Sequence, residues 1–445
     1  MDRRNDLTRG SLAACMLRFS VPCLISCFLQ TFYGLADLAI AGRFNGAATL
    51  TAVSVGSQLM HMLTVVIVGL SMGATVAVSR AAGAKDREAA GLAIGNAALL
   101  FSAFAAALTA LLLLLSEPIL MALSVPPEAL SEARGYALIC FSGVPFITAY
   151  NVLCAVFRGL GDARRPMIFV AAAGVVNIAL DWLLIGPFSM GAKGAAIATV
   201  AAQGLSVLLA LASLLLRRDS LPVRRRHFRP DAETQRALVS VGGPVALQDG
   251  FIQVSFLVIT AIANARGVDV AAAVGVVEKI ISFLFLVPSA MLATVSATAA
   301  QNAGAGLHER GRQALRLGSA ISFSFGLLVF LLCQPLAPAA VSLFSQKSAA
   351  VTRLGAQYLR TYSLDCALAG IHFCFSGYFS AYRRAGYSFL HNALSVLLVR
   401  IPGAWLAARF FPDTLIPMGL AAPLGSLFSS LLCLWLYRRH PEAWR

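Results

Sequence analysis

Apolar residues run along this chain in twelve long blocks, at 17–41, 51–79, 91–115, 134–157, 166–187, 191–216, 240–264, 271–298, 316–340, 358–380, 387–409 and 416–437. Short polar, glycine-rich or basic turns separate them. Each block is long enough to cross a hydrocarbon layer of about 30 Å as a helix with its backbone hydrogen bonds closed internally. The pattern predicts an all-α integral membrane protein with twelve transmembrane helices. Pro22, Pro145, Pro244, Pro288 and Pro402 fall inside blocks, which predicts kinks and broken helices at those points.

The twelve blocks are two sets of six. Pro22 after Ser20-Val21 returns about 222 positions later as Pro244 after Ser240-Val241-Gly242-Gly243, and Gly83-Ala84 returns as Gly304-Ala305. Phe157 before RGLGD returns as Phe379 before SAYRR, and Arg217-Arg218 as Arg438-Arg439. Because six is even, both sets enter the membrane from one face and are related by a pseudo-two-fold along the membrane normal. That is a transporter's organisation, with a substrate path between the halves. The expected domains are an N-terminal six-helix lobe (1–216), a basic cytoplasmic linker (217–236) and a C-terminal six-helix lobe (237–445).

Composition excludes a water-soluble fold. With 58% hydrophobic and 12% charged residues, more apolar surface is present than a core of this size hides. The net charge of +15 is unevenly placed. With the N-terminus inside, 25 of the 35 Lys and Arg residues fall at inner loops and ends, 8 at outer loops, and Lys279 and Arg400 inside blocks. Both termini are therefore expected in the cytoplasm, with the chain multi-pass in the cell (inner) membrane and in contact with anionic lipid headgroups. No basic and aromatic residues interleave as in a nucleic-acid site, so no nucleic-acid partner is expected. The first block is too long for a secretory signal. The nine cysteines lack CxxC spacing, so neither disulfides nor a metal centre is expected. A monomer without a cofactor is expected.

Polar groups kept inside apolar blocks mark the chemistry, since an ionisable side chain there costs about 2.5–3.5 kcal/mol on insertion scales. Tyr33 and Asp37 stand four apart in the first block, and Asn177 and Asp181 four apart in the fifth. Each pair therefore projects from one helix face. Hard oxygen groups of this kind suit a proton relay or a small cation. In the second half, Asp249, Gln253, Glu278, Lys279 and Asp365 form a further candidate polar site, in which a buried Lys279 would neutralise one carboxylate and make the group either a structural ion pair or a second switchable site. Arg400 reads as a structural partner or a snorkelling helix-end residue. His61, His372 and His391 are isolated in sequence. Gly159-Leu160-Gly161-Asp162 spells the GxGD of intramembrane aspartyl proteases, but Arg164, Arg165 and Pro166 put it in a turn. No nucleophile with a base appears, and no enzyme is expected.

The segment FRGLGDARRPM after the fourth block, NIALDWLLI with GAKGAAIAT after it, and TAAQNAGAG with HER downstream together resemble multidrug and toxic compound extrusion (MATE) transporters of bacteria. The likeness covers nearly the whole chain. It implies two six-helix bundles and export of organic cations or other amphipathic drugs by alternating access. It also implies antiport coupled to protons or sodium ions. In the archaeal and related bacterial branch, an N-lobe site uses Tyr and Asp of the first helix, Asn of the fourth, Asn and Asp of the fifth and Thr of the sixth. The matching positions are Tyr33, Asp37, Asn151, Asn177, Asp181 and Thr199, with Asp37, Asn177, Asp181 and Thr199 as the set for a sodium ion. Another branch uses Glu of the seventh helix and Asp of the tenth. Gln253 and Asp365 stand there, and Gln253 removes a charge. A lipid-linked oligosaccharide flippase of the same broad superfamily is the alternative; it would need a cationic central cavity, whereas the candidates here are mainly acidic.

Overall fold

The computed structural model describes residues 6–123, 125–216, 223–344 and 348–444. Arg217 and Arg218 of the expected linker, and Arg3, Arg4, Lys347 and Arg445 of the charge pattern, lie outside the described residues. No strand occurs among the described residues. The helices are α1 (Leu12–Phe44), α2 (Ala47–Gly83), α3 (Arg87–Leu114), α4 (Ser116–Ala122), α5 (Pro127–Ser142), α6 (Val144–Gly159), α7 (Arg164–Ile185), α8 (Gly191–Leu215), α9 (Ala232–Asn264), α10 (Val268–Leu284), α11 (Leu286–Gly304), α12 (His308–Ser342), α13 (Ala349–Tyr362), α14 (Leu364–Ala381), α15 (Ala385–Ser395), α16 (Ile401–Phe410) and α17 (Ile416–Arg439).

Every expected block falls on a helix or a pair of helices. Among the described residues, ten helical runs are long and apolar enough to cross a membrane, and α5 with α6, bent by 45° at their junction, makes eleven. The block 358–380 falls on α13 and α14, and it is less apolar than the others because it carries Arg360 and Asp365. The prolines act in two ways. Pro145, Pro288 and Pro402 stand just after helix breaks, where a missing N–H matters little. Pro22 and Pro244 lie inside continuous helices.

Two compact units emerge: one of Met1–Asp6 with Ile25–Gly242, the other of Leu7–Leu24 with Gly243–Arg445. Their boundaries run through α1 and α9 beside Pro22 and Pro244. Each unit therefore contains the opening segment of the other sequence half. In the second unit, Leu7 N–H donates to Gln301 Oε1 at 3.1 Å, and Asn302 Nδ2 donates to Leu7 O at 3.2 Å. Gln301 and Asn302 of the TAAQNAGAG string thus fasten that segment. In the first unit, Asn96 Nδ2 donates to Arg229 O at 3.3 Å, and Asp231 N–H donates to Asn96 Oδ1 at 2.8 Å. The described part of the expected linker is a strap laid along α3. It forms a short 3-10 turn, Arg225–Phe228, with Arg226 and His227 paired to Glu88.

Small residues let these helices approach. A side-chain carbon added at Gly73 of α2 would strike the Leu238 carbonyl of α9, and one added at Gly242 would strike the Leu70 carbonyl. Alanine, glycine and serine are frequent in the interior, beside buried large residues such as Phe141, Tyr358 and Trp444, while Leu114, Leu216, Phe188 and Leu331 point outward, as the close helix packing of a lipid-covered bundle allows.

Candidate functional site

Four helices of the first unit carry the first cluster. Tyr33 and Asp37 lie on α1, Asn151 on α6, Asn177 and Asp181 on α7, and Thr199 on α8. Asp37 is 6% exposed, and Asn177 and Asp181 are 0% exposed. The Asp37 and Asp181 carboxyls face each other within hydrogen-bonding reach, and Asp37 also reaches Thr199. Asp37 Oδ1, both Asp181 oxygens and both amide atoms of Asn177 have no hydrogen-bond donor or acceptor satisfying them among the described residues. The reason is chemical: an ionised carboxylate only accepts, so two facing carboxylates stay unsatisfied until a proton or cation comes between them. Among the described residues, no Lys, Arg or His pairs with either carboxyl.

A narrow cavity adjoins the cluster, lined by Tyr33, Tyr150, Val170, Ala173, Asn177, Thr199, Ala202, Gln203 and Ser206. The Tyr33 phenol reaches the Gln203 side chain. Thr199 donates its hydroxyl to Ala195 O at 3.0 Å, which leaves its lone pairs for the cavity. The unpartnered oxygens of Asp37, Asp181 and Asn177, together with Thr199 Oγ1, are all hard oxygen groups, the donor type that small cations and protons take. Asn151 is buried on α6 and ties its amide nitrogen back to Ile147 O at 2.8 Å; like Asp37 and Asp181 it lies off the cavity wall. Gln203, in turn, escaped the sequence reading although it stands four residues after Thr199, the spacing that had singled out the other pairs.

The second unit does not gather its five candidates. Asp365 on α14 is 0% exposed and is paired with Arg400, not Lys279; Arg400 Nη2 donates to Asp365 Oδ2 at 3.0 Å. Lys279 is exposed on α10 and pairs with no carboxylate among the described residues. The expectation of a buried, neutralising Lys279 is thereby overturned, because its position on α10 turns outward while Glu278 turns inward. Glu278 instead accepts from Thr260 Oγ1 at 3.0 Å, across α9 and α10. Asp249 and Gln253 are half-buried on α9 and bond to none of the other three. His372 and His391, isolated in sequence, meet with ring centroids 5.4 Å apart.

Against known families, the MatE model matches this chain twice, over residues 22–183 and 244–406. The chain belongs to the MatE family. The two matches start 222 positions apart, the offset of the internal repeat, and each covers the first five apolar blocks of its half. Similar proteins include the "Probable multidrug resistance protein YpnP" of Bacillus subtilis, 27% identical over 97% of this chain and 96% of that protein. The "FAD transporter" of Shewanella oneidensis is 28% identical over 99% and 97%. A crystal structure of MATE in complex with MaL6 superimposes with a TM-score of 0.93 at 23% identity, covering 100% of this chain and 99% of that one. The fold is that of the MATE proteins, and the chain is a membrane transporter, not an enzyme.

Within the MatE frame the recognised strings divide into two kinds. NIALDWLLI places Asn177 and Asp181 at the buried cluster, and GAKGAAIAT ends on Thr199 beside it. FRGLGD instead shapes a helix end: Gly161 has φ of +83°, and Arg165 N–H donates to Asp162 Oδ1 at 3.2 Å. The GxGD aspartate therefore caps a turn.

Proposed function

We propose that this transporter is a cation-coupled antiporter that exports cationic, amphipathic compounds by alternating access, with the coupling ion handled at Asp37, Asp181, Asn177 and Thr199. The observation that carries this reading is the pair of buried, facing carboxyls without a basic partner. Two like charges at that depth are stable only when a proton or a small cation is shared between them. The ion is a proton or a sodium ion. Its arrival and departure would change the net charge of the pair by one, and a helix arrangement favoured by the filled pair is disfavoured by the empty one. Tyr33, Gln203 and Tyr150 offer aromatic and polar walls to a cationic substrate beside it. The basic ends read as cytoplasmic, with a monomeric chain in the inner membrane.

A flippase for lipid-linked pyrophosphates would need basic groups at this place, and acidic ones are found. The relative named for FAD carries an anionic cargo; the acidic pair here favours the opposite charge. Two measurements test the reading. Expression in a pump-deficient bacterium should raise tolerance to a quaternary ammonium dye, and purified protein in liposomes should move that dye when a proton or a sodium gradient is imposed. Absence of both, with correctly inserted protein and a broad cation panel, would overturn it.

A further inference from the structure

The second unit contains a buried side-chain network that the proposed coupling does not use. Arg400 sits at the end of a π-helical turn, Val396–Arg400, between α15 and α16. Such one-turn irregularities re-aim a side chain that a regular helix would direct elsewhere. The Arg400 side chain is 11% exposed. One of its nitrogens donates to Asp365 Oδ2 at 3.0 Å and to Ser426 Oγ at 2.9 Å. Ser426 Oγ lies 3.2 Å from His372 Nε2, so the serine accepts from the arginine and has its own hydrogen for the imidazole. Asp365 Oδ1 and the Nδ1 atoms of His372 and His391 have no partner among the described residues. Tyr358 and Tyr362 lie within electrostatic reach of the pair.

The surroundings are shaped around the guanidinium. A side-chain carbon at Gly425 of α17 would lie 2.5 Å from Arg400 Cγ and 3.0 Å from its Nε. Gly425 O also accepts from Ser395 Oγ at 2.7 Å, which pins α17 to the start of the π turn. The missing side chain at 425 is thus the space that the arginine stem occupies.

We propose that Arg400 is a tethered cation that permanently fills the place a mobile ion would take beside Asp365, so that the second unit binds no coupling ion. Asp365 is as deeply buried as Asp181, and a carboxylate there needs a counter-charge. In the first unit that charge must arrive from solution; in the second it is covalently attached and delivered by the π turn. A free cation meets the fixed positive charge and is repelled. Arg400 therefore sets the number of ions the transporter takes per chain. This inference rests on the proposed coupling only for the number contributed by the first unit; its own claim concerns the second.

The test is equilibrium binding of radiolabelled sodium, together with proton release read by a pH indicator, on the purified full-length chain in detergent. Wild type is expected to take one monovalent cation, lost in Asp37→Asn/Asp181→Asn. Arg400→Gln is expected to gain one further cation, still present when Asp37 and Asp181 are both Asn. Asp365→Asn/Arg400→Gln is expected to lose that gain. Because a lone buried carboxylate can prevent folding, Arg400→Lys is measured as well: a shorter cation should leave the count at the wild-type value. The inference is overturned if wild type already binds a cation that Asp365→Asn alone removes, or if folded Arg400→Gln binds no more than wild type. It is overturned equally if Arg400→Lys loses or gains a cation. Failure of Asp37→Asn/Asp181→Asn to lower the count would sink the proposed coupling site and leave the result for Arg400 standing.

Discussion

The two units handle a buried carboxylate in opposite ways. In the first, Asp37 and Asp181 confront each other and Asn177 hangs beside them with both amide atoms unpaired. In the second, Asp365 is joined to Arg400, which is joined through Ser426 to His372. One site is under-satisfied by design of its own residues, the other over-determined. Two like charges about 4 Å apart repel by ~4 kcal/mol at an effective dielectric near 20; under the proposed coupling, an ion that relieves this repulsion would bias which helix arrangement is stable. An ion pair closed by a tethered arginine stores no such choice. The internal repeat thus supplies two copies of a frame, and the chemistry placed within each differs: two facing carboxyls in the first, a closed Asp365–Arg400 pair in the second.

This contrast makes stability and transport respond to different residues. Arg400→Gln is expected to cause the largest loss of stability, about 3–5 kcal/mol, since removing one partner of a buried pair leaves the other uncompensated. Most of it should return in Asp365→Asn/Arg400→Gln. Thermal unfolding in detergent measures both, and an equally low midpoint for the double variant would show that the pair is not the source. Gly425→Ala should cost less, roughly 1–3 kcal/mol, as the added carbon forces the arginine stem off its path. A midpoint unchanged from wild type would mean the space at 425 is not needed. The smallest effect is expected in the first unit. Asp37→Asn should leave the midpoint within ~0.5 kcal/mol of wild type or raise it, because it removes the like-charge repulsion while the amide still reaches Asp181 and Thr199. A loss comparable to that of Arg400→Gln would make the first cluster a structural one.

Much of the fold could be read from the sequence because membrane helices announce themselves by length and apolarity. The repeat offset seen at Pro22 and Pro244 reappears in the two MatE matches. The exchange of opening segments between units could not be read, because it depends on where Leu7 and Arg229 dock, on Gln301, Asn302 and Asn96 respectively. Among site residues, Tyr33 with Asp37 and Asn177 with Asp181 were legible through four-residue spacing, and Gln203 could have been found by the same rule from Thr199. Asp365 with Arg400 was not legible. Thirty-five positions and a π turn separate them, and a π turn shifts the helical register that such arguments assume. Lys279 was misjudged for a related reason: its block is apolar throughout, so the sequence does not say which face turns inward, and Glu278 took the inward position.

The most direct test of the central claim is gradient-driven uptake of a fluorescent quaternary ammonium compound into liposomes holding either Asp37→Asn or Asp365→Asn/Arg400→Gln, with proton and sodium gradients imposed separately. The account predicts that Asp37→Asn loses all gradient-driven uptake at wild-type protein levels, while Asp365→Asn/Arg400→Gln still responds to the gradient that drives wild type. Normal uptake by Asp37→Asn, together with complete loss in the folded double variant, would contradict it and place the exchangeable ion in the second unit.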